Sequence, residues 1–140
     1  MNNTKPTPQK MKVLENEFAR LEFDGRIVFC EFTKENTYID MDMANRLVND
    51  RINFTEGRPH CLCLRAGKFS YADKEVRNYM QSSEGIKNII AGAIITESAV
   101  TSVFFNFFIK ISGVNKIVPA KCFALEEDAI EWLKQFKHAK

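Results

Sequence analysis

The sequence predicts an α/β domain built on a mixed, mostly parallel sheet packed with helices, in the order β-β-α-β-α-β-α-β-α. Three observations carry this. The stretch "FARLEFDGRIVFCEF" alternates apolar and polar residues on both sides of an Asp-Gly pair. Two short runs, "HCLCLRA" and "IIAGAII", are apolar on both faces, as in strands covered from both sides. The segments between and after them space their apolar residues as helices do.

The hairpin comes first. Ala19, Leu21 and Phe23 alternate with Arg20, Glu22 and Asp24, while Val28, Cys30 and Phe32 repeat the pattern beyond the turn. Asp24-Gly25 predicts a type I′ turn. A helix follows, with Met41, Ala44, Val48 and Ile52 on one face, Leu47 at its edge, Asp40 as N-cap and Asp42 in the first turn. No further acids stand near that Asp pair, so it reads as capping rather than metal binding. Gly57 and Pro59 end the element.

After the strand at "HCLCLRA", a helix is expected from Ala72 to about Gln81, burying Ala72, Val76, Tyr79 and Met80. "IIAGAII" is the next strand. "SAVTSVFFNFFIKIS" reads as a helix capped by Ser98, and "KIVPAKCFA" as a strand in which Pro119 argues for an edge or an interrupted ladder. The last helix begins at Leu125 and turns Ala129, Trp132, Leu133 and Phe136 inward. Its acids lie in the first turn and its Lys and His in the last.

At 140 residues the chain is long enough for one domain with its own core, expected over 15–138. Residues 1–14 read as a polar, disordered lead-in containing two prolines. Of the 20 Lys and Arg, Lys5, Lys10 and Lys12 fall in the first twelve residues, leaving 17 against 18 acidic side chains. A folded part so close to neutral has no electrostatic footprint for nucleic acid. The start lacks the apolar core of a signal peptide and no run is long enough to span a bilayer, so a cytoplasmic setting is expected.

Cys30, Cys61, Cys63 and Cys122 each fall in an apolar, strand-like run and read as buried thiols. Cys61-Leu-Cys63 is not a zinc knuckle, and no second Cys or His pair follows at zinc spacing. The two histidines are His60, a strand-start residue after Pro59, and His138, near the C-terminus. No nucleophile–base pair can be assembled from them, and neither glycine-rich phosphate motif is present. The expectation is a domain that is not an enzyme and carries no cofactor or metal.

The strand order, "LRAGKFSYADKEVRNYM" after the third strand and "FALEEDAIEWL" at the end resemble the STAS-like group. These are the small domains related to stage II sporulation protein AA and the anti-sigma factor antagonists. The resemblance covers roughly residues 15–137 and implies a STAS-like fold acting by docking. In the antagonists, a serine at the start of the helix after the third strand is phosphorylated, and Ser70 stands in the matching place. Here the chain reads Phe69-Ser70-Tyr71-Ala72-Asp73, where those proteins carry an Asp-Ser-Ser-Gly-like sequence. Ser70-x-x-Asp73 also reads as a near capping box, so Ser70 is either a phosphoacceptor or a cap.

The helix at 98–112 has a broad inward stripe of Val100, Val103, Phe104, Phe107, Phe108 and Ile111, with Phe105 and Ile109 nearly opposite. Phe105, Ile109 and Phe108 form the candidate interaction patch. The expected function is a non-catalytic regulatory or binding module acting by protein–protein docking, with self-association as a homodimer included. The alternative is a carrier or sensor of a small apolar, lipid-like ligand, with weak peripheral membrane contact.

Overall fold

The computed structural model describes residues 11–34, 37–65, 71–96 and 118–136. Its main sheet has six strands in the order β1 (Lys12–Glu15), β2 (Ala19–Phe23), β3 (Ile27–Phe32), β5 (His60–Arg65), β7 (Ile89–Ile95) and β8 (Ala120–Phe123). The pairs β1–β2 and β2–β3 are antiparallel, and β3–β5, β5–β7 and β7–β8 are parallel. Two short strands, β4 (Tyr38–Ile39) and β6 (Tyr71–Ala72), pair separately. The helices among the described residues are α1 (Met41–Phe54), α2 (Lys74–Met80) and α3 (Glu126–Leu133).

Residue parity divides the core in two, because alternate side chains of a strand face opposite ways. On one face Leu21, Phe23, Val28, Cys30 and Phe32 pack with Ala44, Leu47 and Val48 of α1 and Val76 of α2. On the other, Ile27, Phe29, Cys61, Cys63, Ala91 and Ala93 pack against Ala129 and Leu133 of α3. The central strands put small residues towards α3 and larger Leu62, Leu64 and Ile94 towards α1 and α2. The small residues are buried, whereas those three large ones are only half-buried.

Helix α1 starts where the Asp40 side chain accepts a hydrogen bond from the Met43 amide at 2.8 Å. It ends at Thr55, whose buried hydroxyl donates to the Arg51 carbonyl at 2.9 Å, and the chain then turns through positive φ at Glu56 and Gly57. Pro119 directly precedes β8 at the end of the sheet, and its carbonyl accepts from the Gly92 amide.

Several expectations are corrected. Strand β1 begins at Lys12, inside the supposed lead-in of residues 1–14, because Lys12 to Glu15 pair in register with Phe23 to Arg20. The hairpin turn is centred one residue later than expected, on Gly25-Arg26 between Asp24 and Ile27. Only Gly25 of these takes positive φ, as in a type II′ rather than a type I′ turn. Asp24 instead accepts from the Arg26 and Ile27 amides with its side chain.

Helix α2 starts later than Ala72, because Tyr71 and Ala72 are taken into the β4–β6 ladder. Its N-cap position belongs to Asp73, whose carboxylate accepts from the Tyr38 hydroxyl rather than from a helix amide. In α3 the acids do occupy the first turn, but the helix ends at Leu133, ahead of the basic residues expected in its last turn.

Candidate functional site: an apolar cavity beside a buried arginine

The half-buried side of the central strands borders a cavity of about 200 Å³. Leu47, Val48 and Arg51 of α1 and Met80 and Gln81 at the end of α2 face Leu62, Leu64, Gly92 and Ile94 of the sheet across it. Gly92 pairs in register with Leu62 on one side and Ala120 on the other. A Cβ at Gly92 would meet nothing within 4 Å. The missing side chain thus leaves open space in the row that the neighbouring residues would otherwise fill.

Among the described residues Arg51 is the one cation in this lining, and it is only 4% exposed. It lies on the buried stripe of α1 in helical sequence after Ala44 and Val48. Its Nη1 donates to the Lys87 carbonyl at 2.8 Å and lies 2.9 Å from Nε2 of His60, while Nη2 donates to the Gly85 carbonyl at 2.9 Å. His60 is fully buried, and its Nδ1 lies 2.8 Å from the Arg58 carbonyl. A carbonyl only accepts, so the proton is assigned to Nδ1, which leaves Nε2 to accept from Arg51. The guanidinium therefore has three neutral partners. Burial holds it down to about 10, still well above neutrality, so it carries its charge in the interior.

The turn between α2 and β7 supplies both carbonyls. Gly85 has to be glycine there, since a Cβ would collide with the Tyr79 and Met80 carbonyls. The turn ends at Asn88 with positive φ, and the Asn88 carbonyl accepts from the His60 amide. Arg51 thus ties α1, the start of β5 and this turn together at one end of the cavity.

The four cysteines are free and buried. Burial pushes Cys30, on the cavity wall, and Cys63 up to about 12, Cys122 up to about 11, and raises Cys61 as well. Thiols so protonated are poor nucleophiles and poor metal ligands. Among the described residues no group of three or more His, Cys, Asp or Glu could hold a metal ion. No helix among them is long and apolar enough to cross a membrane.

Of the sites read from the sequence, Ser70 and the patch of Phe105, Phe108 and Ile109 lie outside the described residues. The Arg51–His60 pair and the cavity were missed. A signal existed: Arg51 stands on the same helical stripe as Ala44 and Val48, where a cation has to be buried.

A parallel-centred sheet with helices on both faces, opened by an antiparallel hairpin, defines an α/β domain of the SpoIIAA-like class. The same architecture is found in the crystal structure of an uncharacterised protein of the DUF3478 family from Shewanella loihica PV-4, described as having a SpoIIAA-like fold. The two superpose with a TM-score of 0.55 over 95% of this chain and 99% of that one, at 10% sequence identity, a likeness of fold alone. Residues 20–137 match the sequence profile of DUF7793, a domain of unknown function, and the chain belongs to that family. No curated protein matches it.

Proposed function

We propose that the domain is a non-catalytic binding module that holds a small apolar molecule between α1, α2 and the sheet. The observation that carries this reading is the apolar cavity of about 200 Å³, with open space above Gly92 on β7, between β5 and β8. A cavity of about 150 Å³ suffices for a benzene-sized ligand, so this one suits an aromatic ring or a chain of about eight carbons. The proposed setting is the cytoplasm, in keeping with four free thiols.

The test is thermal unfolding of the full chain with and without 1-octanol, beside a Gly92→Leu variant whose side chain enters the cavity. Octanol should raise the melting temperature of the parent and leave the variant unmoved. No effect on either protein would overturn the reading.

Docking is the second reading, and the position of β1 at the end of the described sheet favours it. Met11 beside that strand and Val13 within it are 45% and 48% exposed, and among the described residues the strand has one side unpaired in the sheet order. A second copy pairing there would extend the sheet. Sedimentation should then show a dimer that Met11→Lys with Val13→Lys converts to monomer; a monomer at all concentrations would reject it.

A further inference from the structure

The cavity reading leaves the chemical class of the ligand open, and the charge at its end narrows it. Arg20, Arg46 and Arg65 pair with carboxylates. Arg51 is the buried arginine and pairs with none among the described residues, its partners being two carbonyls and a ring nitrogen. An isolated cation in an apolar interior is held at a large desolvation cost, and a counter-anion relieves it.

The guanidinium also has donors to spare. Of its five N–H groups, three have partners; the Nε–H and one N–H on Nη2 have no acceptor among the described residues. The same two nitrogens are those with which Arg65 grips Glu126, Nε to one oxygen at 2.6 Å and Nη2 to the other at 3.1 Å. That edge of a guanidinium matches a carboxylate.

From this we propose that the cavity takes a small apolar carboxylate, whose head group neutralises Arg51 while its chain or ring lies over Gly92. The proposal rests on the cavity reading and adds the anion to it. The cation supplies orientation as well as affinity, since only one end of such a ligand can face Arg51. The hydrogen bonds to Gly85, Lys87 and His60 hold the guanidinium in place before the ligand arrives.

The experiment compares octanoate with 1-octanol, matched in chain length, by calorimetric titration of the full chain at neutral pH. The arginine side-chain N–H resonances are followed by NMR, and Gly92→Leu is titrated in parallel. Octanoate should bind at least tenfold more tightly than octanol, shift the Arg51 Nε–H resonance, and lose its site in Gly92→Leu. Equal binding of both probes, abolished in Gly92→Leu, would overturn the carboxylate and leave the apolar cavity standing. Binding of neither, or binding that survives Gly92→Leu unchanged, would overturn both.

Discussion

Arg51 Nη1 and His60 Nε2 meet at 2.9 Å in the interior, nine residues apart in the chain and on two different layers of the fold. The contact joins α1 to the first residue of β5, and it works only with the histidine proton on the far nitrogen, against the Arg58 carbonyl. This places a neutral ring between a buried cation and the backbone.

Arg51→Met should therefore destabilise the fold although it removes a costly buried charge. It strips partners from two carbonyls and from Nε2, each worth about 1–3 kcal/mol when left unsatisfied. Relief of desolvation offsets part of this, for a net loss of about 2 kcal/mol. Urea unfolding checks it; an unchanged midpoint would show that the network does not hold the fold.

Two glycines should respond to the same substitution with opposite signs. Gly92→Ala adds a Cβ into open space and removes the backbone freedom of a strand glycine, raising stability by about 0.5–1 kcal/mol. Gly85→Ala drives a Cβ into backbone carbonyls and should cost about 1–3 kcal/mol. Melting temperatures of the two variants moving in the same direction would contradict the geometry.

Two carboxylates tie acid stability to arginine pairing. Hydrogen bonding to Arg46 holds Glu17 down to about 2, and hydrogen bonding to Arg65 lowers Glu126. Both are depressed in the folded state, so their contribution is present above the ordinary glutamate value and is lost as the pH falls through the folded one. Carbon-detected titration should find Glu17 still ionised at pH 3. Because the pair is exposed, its midpoint should move back upward in concentrated salt. A midpoint at the ordinary value in low salt would refute the pairing.

The thiols provide a count. All four cysteines are buried, with their thiols raised by desolvation, so a disulfide reagent such as DTNB should find none in the native protein and four in denaturant. Rapid native reaction at Cys30 would mean that the cavity wall admits the reagent.

Much of the fold was legible because it rests on local signals. The alternation around Asp24-Gly25, the run "IIAGAII" and the Asp40 cap each depend on residues within a few positions, and each stands in the structure as β2–β3, β7 and the start of α1. The turn centre slipped by one residue because Asp24 spends its side chain on two amides and leaves the positive φ to Gly25 alone. The start of α2 was misplaced because β6 pairs with β4, a partner more than thirty residues earlier.

The site was hidden for the same reason at longer range. The Arg51 partners Gly85 and Lys87 are 34 and 36 residues away, and nothing near Arg51 in the chain announces them. His60 read as a strand-start residue, and its burial follows from a helix and a turn closing over it. The open floor at Gly92 is a property of three paired strands, which a glycine inside an apolar run does not reveal by itself.

The cavity also has a mechanical consequence. Space between apolar walls that water leaves empty belongs to the folded chain and vanishes on unfolding, so hydrostatic pressure works against this fold to the extent that the half-open cavity is dry. Converted to molar units, about 200 Å³ corresponds to about 120 mL/mol, the scale against which that volume change is read. A molecule seated above Gly92 would cancel part of it, making resistance to compression a measure of occupancy that needs no label.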